Sequence, residues 1–467
     1  DDICSRSAAD WVGMAQHLHR QFRERKADQA LIRVYNPSED EHGYQCPHTV
    51  VEILTDDSPC LVDSVSMAIA RHRLLIHLIV HPVLVVERDP GGYLLGFRPS
   101  GGKGRPESVM HFEVDRETEP EELDALRQSV EKALADVRAC VRDFAAMKAR
   151  MQEIVAALPA RSTPHDAALR EEAAAFLAWL LDDHYTFLGS KVYESAFEDG
   201  REMVREAEGS GLGILRASGR AARDAADLVT RSRGFGGKPE PLILTKTNAR
   251  STVHHPGYMD YVGVLSFDEN GRPCREERFL GLFTSNALNC RVDEIPLIRL
   301  KVEQVMQRAG LRPDGHSGKT LMHILETLPR EELFQSSVDE LHTLAIGVLN
   351  LRERQRTRVF CRRDRYGRYW SALVYVPRDR MTPSVREKIE QRVRLQMQAD
   401  RLDSQIQVGE SALARLYIVA RPRSGEAPSL DARALEAEVV ALVRNWHDEL
   451  REQLIGRNHW ELFPGTF

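Results

Sequence analysis

An α+β fold built from several domains is predicted for this chain, and three observations predict it. Short apolar runs bounded by turn residues mix with amphipathic helical stretches in the order strand, helix, two hairpin strands, strand, long helix. That order folds as an antiparallel sheet with helices on one face. At 467 residues the chain is too long for one compact core. The regular strand–helix alternation of a doubly wound nucleotide-binding sheet is missing.

The elements follow in chain order. Residues 10–26 set Trp11, Met14, Leu18 and Phe22 at helical spacing. Thr49-Val50-Val51-Glu52-Ile53-Leu54 is a short strand, and Asp56-Asp57-Ser58-Pro59 turns into a helix with Pro59 near its first position. Leu61, Val62, Val65, Met67, Ala68 and Ile69 supply the buried side of that helix. Residues 78–87 read as one strand, and Asp89-Pro90-Gly91-Gly92 as the hairpin turn into 93–97. A Gly-rich loop covers 98–106, and 109–114 alternates Met110, Phe112 and Val114 with polar neighbours, as a half-buried strand does. A long helix over about 120–157 closes this block.

The middle block opens with a helix at 166–182 and a strand at 184–189. Residues 201–208 read as a charged helical stretch, and strands are expected at 214–215, 241–245, 261–267 and 278–284. Helices at 296–309, 316–327 and 336–351 follow, the last with Val338, Leu341, Leu344, Ala345 and Val348 on one face. In the C-terminal block, strands 358–363 and 369–376 form a hairpin across Asp364-Arg365-Tyr366-Gly367. A helix from Thr382 to about residue 399, strands at 403–408 and 412–420, and a helix at 431–454 complete it. The expected division is a helical lead-in (1–45), a small α+β unit (46–158), a larger α+β middle domain with a helical end (159–355) and a second small unit (356–467).

Composition narrows the function classes. Hydrophobic residues are 42% and charged residues 29%, a globular balance. The net charge of −6 gives no global pull toward nucleic acid or an anionic membrane. The longest apolar candidate, 74–86, is broken by His77, His81 and Pro82, short of the roughly 18 residues of a membrane helix. The start, Asp1-Asp2-Ile3-Cys4, lacks the order of a signal peptide. Seven cysteines without CxxC spacing fit a reducing cytoplasm.

Several motifs invite chemistry. Gly209-Ser210-Gly211-Leu212-Gly213 does not follow an apolar strand, so a plain loop is expected rather than a dinucleotide loop. Gly315-His316-Ser317-Gly318-Lys319-Thr320 lacks the first P-loop glycine, where Pro313 stands. His77 and His81 lie on a strand, where four residues span about 13 Å, too far for a shared metal. Cys46 and His48 have no second pair to complete a tetrahedral set. The clusters Gly101-Gly102-Lys103-Gly104 and Gly236-Gly237-Lys238 sit among loop residues. No catalytic, cofactor or metal residues are therefore assigned. Two candidate ligand sites remain. Lys246, Asn248, Arg250 and His254 form the densest polar run beside a strand and could clamp a carboxylate or phosphate. Asp57, Ser58, Pro59, Cys60 and Leu61 join a strand to a helix start, where free backbone N–H groups can meet a carboxylate or simply be capped.

Longer strings carry a resemblance. They are His48-Thr49-Val50-Val51-Glu52-Ile53-Leu54-Thr55-Asp56-Asp57, Leu244-Thr245-Lys246-Thr247-Asn248-Ala249-Arg250-Ser251-Thr252-Val253-His254, Arg278-Phe279-Leu280-Gly281-Leu282-Phe283-Thr284-Ser285 and Arg362-Arg363-Asp364-Arg365-Tyr366-Gly367-Arg368. Together they resemble the N-terminal region of the large-subunit class of bacterial NAD-specific glutamate dehydrogenase. The resemblance implies ACT-like, ferredoxin-like units that bind amino acids and assemble through their sheets. It places the dehydrogenase chemistry and the NAD cofactor in a later domain. Asp57-Ser58-Pro59-Cys60-Leu61 aligns with the ACT ligand loop, usually Asp-x-Pro-Gly-Leu, with Cys60 in place of the glycine that permits close backbone approach.

The expectation is thus a cytoplasmic regulatory and assembly region without its own catalytic site. Its expected partners are its own C-terminal catalytic region, further copies of itself and an amino-acid effector, with no nucleic acid and no membrane. A free-standing amino-acid sensor of ACT type is the alternative. A complete enzyme with a site in the 246–254 loop is the other rival.

Overall fold

The computed structural model describes residues 6–98, 104–161, 166–198, 201–216, 240–351, 356–409, 411–423 and 427–444. The N-terminal unit runs α1 (Ala8–Gln21), β1 (Leu31–Tyr35), α2 (Glu39–His42), β2 (Thr49–Asp56), α3 (Leu61–Arg71), β3 (Ile76–Val80), β4 (Val83–Arg88), β5 (Leu94–Arg98), β6 (Arg105–Val114) and α4 (Pro120–Ala157). The central unit comprises α5 (Ala167–Trp179), β7 (Tyr185–Glu198), β8 (Arg201–Glu206), β9 (Leu212–Gly213), β10 (Leu242–Arg250), β11 (Tyr258–Phe267), β12 (Pro273–Phe283) and α6 (Ser285–Asn289). Helices α7 (Ile298–Ala309), α8 (His316–Thr327), α9 (Arg330–Gln335) and α10 (Val338–Leu351) follow it. The C-terminal unit is β13 (Arg358–Arg363), β14 (Trp370–Pro377), α11 (Pro383–Gln396), β15 (Ala399–Gln407), β16 (Leu413–Pro422) and α12 (Ala432–Val443).

Three antiparallel sheets result, ordered β1-β2-β6-β4-β5 with β3 also on β6, β10-β11-β12-β7-β8 with β9 on β7, and β13-β14-β16-β15. In the first, Val51, Ile53, Met110, Phe112 and Val114 point to one face and pack on α3 and α4 through Leu61, Val65, Leu126, Val130 and Val137. The opposite face is covered by α1, where Met14 meets Val50 and Phe22 meets Leu54. In the third sheet, Val374, Val376, Leu416 and Ile418 pack on α11 and α12 through Ile389, Val393, Leu435 and Val439.

The central sheet is buried on both faces, because β11 is apolar at nearly every position. Met259, Tyr261 and Leu265 join the core that contains α3 and the first half of α4. Val262 and Val264 join a second core with α5, α7, α8 and α10, and with Leu373, Tyr375, Tyr417 and Val419 of the C-terminal sheet. Helix α4 ties the cores together. Its 38 residues span about 57 Å at 1.5 Å per residue. Leu126 to Cys140 serve the first core, and Met147, Met151 and Ile154 serve the second.

Several elements differ from the sequence reading. The expected strand 78–87 is two strands, since Pro82 lacks an N–H; β3 and β4 both lie along β6, and the Pro82 carbonyl accepts from the Val109 amide at 3.0 Å. The charged stretch read as helical at 201–208 is the strand β8, paired with β7 from Glu198–Arg201 to Tyr193–Glu206. Pairing with its partner strand overrides helical composition. The expected strand at 214–215 is a turn, and the pairing falls instead at Leu212–Gly213. Strand β1 and helix α9 are further elements with no sequence-level expectation; both are short. Most of the two glycine–lysine clusters (99–103 and 217–239) and the end of the expected last helix (445–467) lie outside the described residues.

A buried ion pair locks the C-terminal sheet to α9. Arg362 donates from Nε to Glu332 Oε2 at 2.7 Å and from Nη2 to Oε1 at 3.0 Å, and the Tyr417 hydroxyl donates to the same Oε1 at 3.1 Å. Arg362→Met strands the Glu332 carboxylate in the core, and the expected loss is about 3–5 kcal/mol in a denaturant titration. The double change Arg362→Met with Glu332→Leu should recover most of that loss. Equal losses for single and double variants would show that the pair itself, not the stranded charge, carries the energy.

Candidate functional site

Lys246 and Arg250 lie at the end of β10 and line a cleft of about 1090 Å³. Its walls come from β10 and β11, from α9 and the turn before it, and from β15 and β16. Lys246 pairs across the ladder with Asp260, Nζ to Oδ1 3.0 Å, and reaches Glu331 Oε1 on α9 at 2.9 Å. Burial would lower its pKa, but Asp260 and Glu331 together outweigh burial and hold the ammonium charged above a lysine's ordinary range. Arg250 bonds Asp403 of β15 at 2.5 Å and lies 5.0 Å from the Tyr258 ring centre. The Asn248 Oδ1 accepts from Arg421 Nη1 at 3.2 Å. Each of the two loop cations therefore already holds a protein carboxylate, and the polar run serves as a seam to α9 and the C-terminal sheet.

The rest of the run turns the other way. The His254 backbone N–H donates to Ser64 Oγ on α3 at 3.1 Å, and its Nδ1 lies 3.7 Å from Cys60 Sγ. Arg71 Nη2 donates to the Ser251 carbonyl at 2.5 Å, and Thr252 Oγ1 donates to Asp136 on α4 at 2.6 Å. The two ligand sites expected from sequence are thus brought into contact. The 250–257 loop lies against the helix start formed by Asp57 to Leu61. Cys60 caps α3 at φ 66°, the left-handed region that favours glycine, which is the residue the ACT-loop pattern expects there. Asp56 is drawn away to Arg25, and the Asp57 amide bonds the Pro106 carbonyl at 3.0 Å.

A third cluster has weak sequence signal because its members come from distant strands. On the face of the first sheet under α1, Glu52 and His111 are cross-strand partners and Glu113 follows two residues later. All three are buried. His111 bridges the carboxylates, Nδ1 to Glu52 at 3.4 Å and Nε2 to Glu113 at 3.3 Å. Burial lowers the His111 pKa, but its bonds to Glu113 and Glu52 outweigh it and the net direction is up. Burial likewise pushes Glu113 up, and the bonds from His111, Arg6 and His48 overcome it and hold the carboxyl below its ordinary range. Ligand atoms of Cys46, His48 and Glu113 lie within 4.8 Å of one another. The Arg6 guanidinium reaches both Cys46 Sγ, at 3.3 Å, and Glu113, and supplies the positive charge there. His77 and His81 take separate partners, Asp115 at 2.7 Å and Ser108 at 2.5 Å.

Two outcomes follow. A raised His111 pKa means the folded state keeps a proton that the unfolded chain releases near pH 6.5. The stability from this network is complete below that pH and falls as pH rises through the folded value; His111→Gln should flatten the slope measured by urea titration across pH 6 to 9. An unchanged slope would show that His111 does not carry it. At the helix start, Cys60→Gly should stabilise the chain by about 1 kcal/mol by relieving the left-handed backbone. A thermal melt showing clear destabilisation would instead show that the Cys60–His254 contact outweighs the backbone strain.

Comparison with known proteins agrees with this architecture. Residues 1–130 match the ACT1 domain model of glutamate dehydrogenase, 295–354 its helical motif 1, and 358–447 its ACT2 domain. The NAD-specific glutamate dehydrogenase of Pseudomonas aeruginosa is 39% identical over 455 residues, covering 96% of this chain. The Halomonas elongata protein of that name is 34% identical over 459 residues and the Mycobacterium tuberculosis protein 28% over 449. The chain spans 28%, 28% and 26% of the length of these relatives, respectively. The chain thus carries, in this order, segments that match the ACT1, helical-motif 1 and ACT2 domain models of glutamate dehydrogenase, and it is similar along nearly its whole length to NAD-specific glutamate dehydrogenases.

Proposed function

We propose that this chain is the regulatory and assembly region of an NAD-dependent glutamate dehydrogenase, and that the intact enzyme oxidises L-glutamate to 2-oxoglutarate and ammonia while reducing NAD. NAD and the reacting groups belong to the catalytic region of that enzyme, so the described chain contributes control rather than chemistry, in the cytoplasm. The observation that carries this reading is the cleft at Lys246. It is walled by the central sheet, the helical motif and ACT2, and the loop leaving it lies on the ACT1 helix start. A ligand bound there touches three segments at once and biases their arrangement, which is what an effector must do to act at a distance. Lys246, Asn248 and Arg250 of β10 and His254 of the loop after it are the residues that transmit the change, and Asp57 to Leu61 is where ACT1 receives it.

Assembly has a surface of its own. Tyr93, Leu95 and Phe97 alternate on and beside the edge strand β5 and are 53%, 63% and 56% exposed, and Leu75 and Val83 are exposed as well. An apolar edge strand of this kind pairs with another chain or another domain. The proposed occupants are a second copy and the enzyme's own catalytic region.

The purified chain with saturating glutamate should not reduce NAD, read by nicotinamide absorbance. Turnover that disappears with Lys246→Ala would contradict the regulatory reading. Light scattering should show self-association that Leu95→Lys weakens, and a strict monomer at all concentrations would leave the edge to the catalytic region.

A further inference from the structure

The cleft holds a buried cation that has no ion-pair partner among the described residues. Arg421, on β16, is 6% exposed and lines the cleft wall. Its guanidinium carbon lies over two tyrosine rings, 3.7 Å from the Tyr258 ring centre and 4.5 Å from that of Tyr369. Its Nη1 has only the neutral Asn248 amide oxygen, and its Nε has no hydrogen-bond partner among the described residues. Arg368, itself bonded to Thr245 and close to Asp364, adds like charge nearby. Around it, the buried Tyr258 hydroxyl also lacks a partner. A buried charge left in this state is costly unless something pairs with it, and contact with aromatic faces recovers only part of that cost.

Of the other cations on the cleft wall, Lys246 is held by Asp260 and Glu331, and Arg250 by Asp403. Arg330 and Arg415 also lack a carboxylate ion-pair partner among the described residues; Arg330 donates to the Leu288, Glu326 and Cys290 carbonyls and Arg415 to the Gln407 amide oxygen. Arg421 differs from these in being buried and in having an Nε without a hydrogen-bond partner among the described residues. A planar guanidinium with open N–H groups matches a carboxylate in two parallel bonds, and its stacked rings fix the plane in advance. The mixed walls disfavour a polyanion, because Asp403 and Glu331 would repel its further charges.

We infer that Arg421 is the receiving group of a small-carboxylate site in this cleft, held open by Tyr258, Tyr369 and Asn248. This deepens the effector reading above and rests on it, by naming the group and the ligand class. The free carboxylate could come from an amino acid or from an oxo- or dicarboxylic acid, and the shared chemistry is the carboxylate.

Titration calorimetry on the 467-residue chain tests it, with L-glutamate, 2-oxoglutarate, acetate and inorganic phosphate as probes. Asn248→Asp places a carboxylate against Arg421 from within the protein, so it should keep or raise the melting temperature while weakening carboxylate binding at least tenfold. Arg421→Gln should abolish binding. Glutamate alone binding identifies an amino-acid site, and 2-oxoglutarate or acetate binding as well identifies a general carboxylate site; both support the assignment. No carboxylate binding to the unaltered chain, tighter binding of phosphate, or equal affinity in the Asn248→Asp variant would overturn it. If binding follows the prediction but the intact enzyme's glutamate oxidation does not respond to the bound carboxylate, the site stands and the effector reading fails.

Discussion

The structure depends on a central antiparallel sheet that has no solvent face. Antiparallel sheets commonly leave one side to water. Here Tyr261 and Val262, neighbours on β11, enter different cores. The first core is shared with ACT1, and the second with the helical motif and ACT2. Neither ACT unit buries its outer surfaces alone, because each packs a core against one face of the same central sheet. Helix α4 makes the constraint stronger, because a single rigid rod carries buried residues of both cores.

Charge marks the seams between these layers. Glu332 and Arg362 join ACT2 to the helical motif, and Lys246 joins the central sheet to the same short helix through Glu331. Buried pairs contribute little net stability against apolar replacements, yet they penalise any misaligned packing because a broken pair strands a charge. In this region they define one docking geometry for each segment. Arg421 belongs to the same class of residue and lacks the partner. That contrast makes the cleft a place where an outside molecule completes the pairing.

Much of this was legible in the sequence. Strand β2, helix α3, the hairpin turn at Asp89 to Gly92 and helix α8 follow directly from apolar periodicity and turn chemistry. So does the α+β class. The polar run that ends β10 was also visible as a candidate, since Lys246, Asn248, Arg250 and His254 make it the densest cluster of polar side chains near a strand. Its partners were not. Asp260 lies across a ladder, while Glu331, Asp403 and Arg421 lie 85 or more positions along the chain, and no local pattern links them. Arg421 is hidden for a further reason: it ends an apolar strand beside Pro422, where an arginine reads as a solvated strand terminus. Strand β8 was misread because charged residues with helical composition took their conformation from pairing with β7.

Amide hydrogen exchange on the Val262→Ala variant tests the central claim most directly. Val262 is fully buried in β11, on the face that packs with the helical motif and ACT2. If the central sheet is the shared support of both ACT units, the cavity should lower protection together in β2 and β6 of ACT1 and in β14 and β16 of ACT2. Loss of protection confined to the central sheet and its own helices, with both ACT sheets unchanged, would contradict the account.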